Sequence, residues 1–154
     1  MNIIFAHTTW AFVARAKDVT RRDWDEAYAE RFSAGTFGRA INKMLKYGGE
    51  QIGTFRLTAK PSYESEAQMP DSDYAGEGFE FLDKYPYLKP RMWRPLNLRA
   101  KFEQDRRAGE SMWVVRYEIL TVERAWEEKL IAKMRGFSPQ DADEMARRAL
   151  TSVG

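Results

Sequence analysis

The residues from 17 to 24 place several reactive or hydrogen-bonding groups close together in the chain. They supply an ammonium, a hydroxyl, two guanidiniums and an indole, from Lys17, Thr20, Arg21, Arg22 and Trp24. In an extended backbone, alternate side chains point the same way, so Thr20 and Arg22 are expected to share one side and Arg21 to face the other. Lys17, at the turn before them, can reach the side of Thr20. The run therefore predicts a polar site.

A second run, residues 69 to 79, supplies the opposite charge. Glu77 lies between Gly76 and Gly78, and Tyr74 precedes them. If the fold joins the two runs, the result is a pocket for a planar ligand such as a nucleobase. Glu77 would accept hydrogen bonds, Arg21, Arg22 and Trp24 would hold the base, and Tyr74 and Gly78 would line the site.

Each of these residues also has a purely structural interpretation. A lysine or arginine paired with Glu77 can be an ion pair, worth about 0–1 kcal/mol when exposed. Trp24, beside a predicted helix, can pack in the core. Gly76 and Gly78 can mark a turn.

Composition limits the chemistry. The chain has 154 residues, enough to bury a core, and a formal net charge of +2. It has no cysteine and one histidine, His7, so disulfides, thiolate metal sites and histidine-based zinc sites are excluded. We expect no metal and no cofactor, and a packed or exposed His7 rather than a catalytic one. Because no apolar run approaches the length of a membrane span, we expect a cytoplasmic protein that does not bind membranes.

Positive charge is concentrated between residues 84 and 107. We expect the cations of this segment to contact phosphates, namely Lys89, Arg91, Arg94 and Arg99. A solvated helix face and loop is the alternative.

The pattern of apolar residues predicts an α+β fold. Strands are expected over residues 2–6, 36–42, 52–58 and 112–120, and helices over 25–32, 77–84, 96–107 and 123–135. Ser138 and Pro139 open a further helix. We expect a domain over residues 1–122 with a mixed or antiparallel sheet, and a C-terminal helical hairpin over 123–154 that packs on the core or on a partner, including a second copy of the chain.

Four segments in order resemble the ASCH domains of the PUA-like superfamily. They are residues 17–22, the turn at Gly35, residues 52–58, and residues 75–79. In the ASCH pattern Gly-x-Lys-x-x-Thr-x-Arg, the lysine, the threonine and the arginine match Lys17, Thr20 and Arg22. Arg15 stands where the pattern has its glycine, which puts the turn before the motif in question. The resemblance covers residues 3 to 120 and implies a mixed β-barrel with flanking helices.

The resemblance also implies two kinds of function. PUA-like domains engage nucleic acid, so we expect a nucleic-acid-binding protein, with RNA or a modified base favoured as ligand. Some ASCH proteins are amidohydrolases that deacetylate N4-acetylcytidine. By resemblance, Thr20 would be the nucleophile, Lys17 the general base and Glu77 an aid to proton transfer. A ribonuclease activity is a further alternative.

Overall fold

One curled sheet organises the chain in the computed structural model, which describes residues 1–152. Its six strands within that range are β1 (Asn2–Ile4), β2 (Val19–Arg22), β3 (Phe37–Ile41), β4 (Gln51–Leu57), β5 (Ser62–Ser65) and β6 (Ser111–Val122). The order is β1-β3-β4-β6-β2, with β5 paired to β6; β1 and β3 are parallel and the other pairs antiparallel. The sheet forms a half-barrel, which confirms the predicted α+β class with a mixed sheet.

Seven α-helices within residues 1–152 flank the sheet. They are α1 (Thr9–Val13), α2 (Glu26–Ala29), α3 (Asp73–Gly76), α4 (Phe79–Lys84), α5 (Leu98–Ala108), α6 (Arg124–Arg135) and α7 (Pro139–Ser152). Asn97 caps α5 by accepting a hydrogen bond from the Ala100 amide. Helices α6 and α7 pack on each other as the predicted hairpin. Of the predicted extension 123–154, residues 153 and 154 lie outside the described part of the chain.

Strand β6 connects the elements that carry the two polar runs. Its C-terminal half pairs with β4, from Tyr117 to Val122. Its N-terminal half pairs with β5 along the same edge and with β2 along the other edge. Residues 18–22 are therefore held beside the N-terminal half of β6.

Four aromatic rings form the centre of the core. Phe5, Phe12, Phe55 and Tyr117 are at most 2% exposed, and the centroids of their contacting rings lie 5.2 to 6.3 Å apart. Leu130 of α6 belongs to the same buried cluster, as does Met134. The hairpin therefore packs on the core, which was one of its two predicted positions.

The turn that leads into the first polar run is a helix C-cap with an arginine in the glycine position. The amide of Arg15 donates to the carbonyl of Phe12, and the amide of Ala16 donates to that of Ala11, which together form a Schellman motif after α1. Arg15 has φ +59°, the left-handed region in which glycine is favoured. This turn directs Lys17 toward the sheet.

Two sequence predictions differ from the structure. The helix expected over residues 77–84 begins only at Phe79, because Gly78 has φ +86° and lies between α4 and the short helix α3, which was not predicted. Strand β5 was not predicted, because the residues Ser62 to Ser65 carry no apolar alternation. Within residues 1–152, no helix is both long enough and apolar enough to cross a membrane.

Candidate functional site

Lys17 is buried where the two polar runs meet. Its side chain is 1% exposed, and its Nζ donates to the backbone carbonyls of Val19 at 2.8 Å and Glu77 at 3.0 Å. The Glu77 carboxylate lies 3.9 Å from the same Nζ, which is an ion pair but exceeds hydrogen-bond distance. The fold therefore brings together the ammonium and the carboxylate that the sequence analysis proposed for one site.

Burial changes the protonation of Lys17. Removal from water lowers the pKa of the ammonium from 10.5 to about 8; Glu77 opposes this shift, and Arg22 adds to it. A neutral lysine amine has two N–H groups and one lone pair. Because two carbonyls already accept hydrogen bonds from Nζ, the neutral form satisfies both of its donors and keeps the lone pair available.

Arg21 joins β2 to α3 through two carboxylates. It donates to Glu77 Oε1 at 2.9 Å and to Asp73 Oδ2 at 2.6 Å. Arg116 of β6 also binds Asp73, with both nitrogens at 2.9 to 3.0 Å. Although burial raises the pKa of the Asp73 carboxyl, the hydrogen bonds from Arg116 and Arg21 outweigh it and leave that pKa below its usual value. We call these four residues the α3 clamp.

Thr20 and Arg22 face the same side of β2, as predicted. Arg22 Nε donates to Thr20 Oγ1 at 3.1 Å, and its Nη2 donates to the Ile4 carbonyl at 2.9 Å. The nearby Tyr117 hydroxyl is buried and has no hydrogen-bond partner among the described residues. Burial, with Glu77 and Asp18 adding to it, raises the pKa of the Tyr117 phenol well above its usual value. Thr20 is therefore buried beside the Arg22 guanidinium, which donates to its hydroxyl.

The other predicted ligand residues have structural contacts. Trp24 packs against Tyr28 and Phe32. The Tyr74 hydroxyl donates to Asp83 at 2.6 Å. At Gly78, a Cβ would lie 2.6 Å from Ala11 Cβ, so this glycine permits close packing against α1. Their proposed contacts with a ligand stay predictions.

Of the three predicted catalytic residues, Lys17 lines a cavity, whereas Thr20 and Glu77 do not line the same one. Lys17 lines a cavity of about 390 Å³, together with Asp18, Gly76 and Glu80. Thr20 and Glu77 are not among its lining residues, and they are 5% and 8% exposed. A substrate that reached both would have to displace part of the surrounding structure.

A second cavity, of about 420 Å³, is formed by four separate segments of the chain. We call it the basic cleft. His7 and Trp10 come from the start of the chain, Lys43 follows β3, and further residues come from the 87–94 segment and from α6. Its cationic lining residues are Lys43, Lys89, Arg91, Arg94 and Lys133. Among the described residues that line it, none is acidic.

The four predicted phosphate-binding residues differ in accessibility. Lys89 is 5% exposed, and its Nζ lies 2.7 Å from the Leu96 carbonyl and 2.9 Å from Asp83. Arg99 pairs with Asp71 and with Glu103. By contrast, Arg91 and Arg94 are exposed, line the basic cleft and make no ion pair within residues 1–152. These two remain free to bind an anion.

Several residues of these sites were not identified from the sequence. Asp73 precedes Glu77 by four residues, which is a pair of carboxylates at helical spacing, and Arg116 interrupts the apolar run of β6. In the basic cleft, Trp126 and Lys133 are seven residues apart, or two helical turns, so they lie on one face of α6. Only the fold shows that this face meets residues 87–94.

Comparisons with known proteins show a structural likeness but no family. No protein-family model matches the sequence, and no curated protein matches it. Among solved structures, the chain is similar to protein EF3133 from Enterococcus faecalis V583, described under the family model DUF984. The TM-score is 0.45 and the sequence identity 16%, over 78% of this chain and 71% of that one.

Proposed function

We propose that this protein binds nucleic acid, with RNA as the favoured ligand, through the basic cleft. The observation that carries the proposal is the uncompensated charge of Arg91 and Arg94. Both are exposed, and the described lining of the cleft contains no carboxylate. Phosphate contacts by such side chains supply most of the affinity of proteins for nucleic acid. The resemblance of the sequence to ASCH domains, together with the half-barrel sheet, supports the same function.

The test is salt-dependent binding of a labelled stem–loop RNA and of the DNA of the same sequence. Each phosphate contact contributes a slope of roughly 0.7 to 0.9 to the dependence of log affinity on log salt concentration. The double variant Arg91→Gln/Arg94→Gln should therefore bind more weakly and reduce the slope by about 1.5. RNA should bind more tightly than DNA.

The matched control removes the same charge elsewhere. In Arg56→Gln/Lys60→Gln, both lost cations are exposed and outside the cleft, and they are paired with Glu118 and Glu30. This variant should keep the affinity and the salt slope of the original chain. Absence of RNA and DNA binding at low salt would disprove the proposed function.

The protonation of Lys17 favours a second candidate, an amidohydrolase acting on an acetylated nucleoside such as N4-acetylcytidine. With a pKa near 8, Lys17 is neutral in about one tenth of molecules at pH 7, enough for a general base. In this scheme it takes the Thr20 proton as Oγ1 attacks the acetyl carbon. The C–N bond then breaks, the proton passes to the leaving amine, and water hydrolyses the acyl-threonine to acetate. Glu77 stabilises the charged lysine.

Acetate release from N4-acetylcytidine, followed by NMR, tests this candidate. The rate should rise with pH and level off above about pH 8, and Lys17→Ala should abolish it. Lys84→Ala is the control, because Lys84 is an exposed cation that lines the same cavity. Equal rates in the original chain and in Lys17→Ala would exclude Lys17 as the base. We rank this candidate second because Thr20 and Glu77 line neither described cavity.

A further inference from the structure

An exposed aromatic platform lies at the wall of the basic cleft. The His7 ring stacks on the Trp93 ring, with centroids 4.7 Å apart and planes 18° from parallel. Trp93 in turn meets the buried Phe79 edge-on at 6.0 Å. The stack is thus anchored on the core, while His7 is exposed and lines the cleft.

Among the described residues, the exposed His7 ring has one aromatic neighbour. Among residues 1–152, Trp93 is the ring in contact with His7, and it covers one face of the imidazole. The other face is therefore not covered by a second described ring. Stacking of a base on an aromatic side chain is the usual way in which proteins hold unpaired bases.

Cations surround this platform on more than one side. Arg91 and Arg94 lie on either side of Trp93 in the sequence and line the same cleft, and Lys43, after β3, and Lys133, from α6, also line it. A nucleotide whose base stacked on His7 would have its phosphates within a zone of positive charge. Proteins that bind single strands combine these two features, a charged groove and a stacking ring.

We propose that the basic cleft takes single-stranded nucleic acid, with one base stacked on His7 and the neighbouring phosphates held by Arg91 and Arg94. This inference rests on the proposed nucleic-acid binding and specifies its substrate. A continuous duplex keeps both faces of each base against its neighbours, so it offers no face to His7. The strand must therefore be unpaired at the cleft.

The experiment compares a labelled single-stranded RNA with the duplex that contains it, by fluorescence anisotropy. The single strand should bind at least about tenfold more tightly than the duplex, and His7→Ala should weaken single-strand binding about tenfold. His7→Phe is the matched variant, because it keeps a flat ring and removes the imidazole nitrogens; it should retain the affinity within about twofold. Neither variant should change the salt slope.

The outcomes separate this inference from the proposed function. Equal binding of duplex and single strand, or a His7→Ala variant of unchanged affinity, overturns the inference while the Arg91→Gln/Arg94→Gln result still supports nucleic-acid binding. Equal losses in His7→Ala and His7→Phe also overturn it, because they assign His7 a role other than stacking. No binding of any nucleic acid overturns both. Circular dichroism of each variant establishes that it is folded.

Discussion

Arg15 occupies a backbone conformation that its side chain disfavours. At φ +59° it costs roughly 1 kcal/mol relative to glycine, and the resemblance to ASCH domains places a glycine there. We compare Arg15→Gly with Arg15→Ala, since both lose the 3.6 Å ion pair with Glu127. The glycine variant should be about 1 kcal/mol more stable than the alanine variant in urea unfolding. Equal stabilities would mean that the left-handed turn carries no strain.

The buried ammonium of Lys17 makes stability depend on pH in the alkaline range. Its pKa is about 8 in the folded chain and near 10.5 when exposed, so the unfolded state binds more protons between these values. The free energy of unfolding should therefore increase by up to about 3 kcal/mol as the pH rises from 8 to 10.5. The same gain is lost as the pH is lowered again, and it is absent once the pH has fallen through 8. Unfolding free energies of the original chain and of Lys17→Met, measured from pH 7 to pH 10.5, check this.

The control for this prediction is a lysine that stays in water. Lys60 is exposed, and Lys60→Met should leave the rise of stability between pH 8 and pH 10.5 unchanged, whereas Lys17→Met should remove it. The same rise in all three proteins would contradict the assignment to Lys17.

Sequence periodicity predicted some residue positions but could not predict their partners. That Thr20 and Arg22 share one side follows from the alternation of a strand, and their hydrogen bond confirms it. The approach of Lys17 to Glu77 was proposed only on the condition that the fold joins the two polar runs, which nothing local in the sequence establishes. The partners of Arg21 are 52 and 56 residues away, and nothing local indicates that two carboxylates occupy its donors. Such contacts depend on tertiary structure.

At the scale of elements, the α3 clamp fastens a one-turn helix to the sheet. Asp73 is 2% exposed and binds two arginines, so Asp73→Asn removes the charge that pairs with Arg116 and leaves the buried Arg21 with Glu77 alone. Loss of one partner of a buried ion pair costs about 3 kcal/mol or more. We expect a destabilisation of this size in urea unfolding.

Asp71→Asn provides the matched control. It makes the same change two residues away, at an exposed carboxylate paired with Arg99, and should hardly move the unfolding midpoint. Acid adds a second readout, since the pKa of Asp73 is below its usual value. The stability that the ionised Asp73 carboxylate contributes to the fold is complete above the ordinary pKa of an aspartate, about 3.9. It is lost as the pH falls through the lowered pKa of Asp73 in the folded chain. Asp73→Asn should therefore flatten the acid limb of the stability curve; equal effects of the two variants would contradict the clamp.

The elements that the sequence predicted are those with strong periodicity. β4 alternates apolar and polar residues, β6 begins as an apolar run, and α5 and α6 show helical spacing, so the ends of all four were placed within about two residues. β5 was missed because its pairing with β6 comes from the backbone, not from an apolar face. Gly78 had two interpretations from the sequence, a helix position and a turn, and its φ of +86° with its close approach to Ala11 decides for the turn.

At the scale of the whole molecule, the C-terminal hairpin shares the core of the sheet. The sequence indicated a change of character after residue 122, and it could not show where the apolar face of α6 packs. Leu130 and Met134 are 1% and 0% exposed and lie in the cluster that contains Phe12. The basic cleft also depends on the position of the hairpin, because α6 supplies Trp126 and Lys133 to one wall of the cleft. Docking of the hairpin and formation of the cleft are therefore one event.

A shared core predicts that the hairpin and the sheet unfold together. Leu130→Ala should destabilise the chain by about 2–5 kcal/mol, whereas Leu150→Ala, at a side chain that is 78% exposed, should have little effect. In native-state hydrogen exchange, the slowest amides of α6 and that of Val115 in β6 should then accelerate by a similar factor, about 30-fold or more. Acceleration confined to α6 and α7 would show that the hairpin opens alone. The cleft would then open with it, because one of its walls would be absent in a molecule whose sheet is still folded.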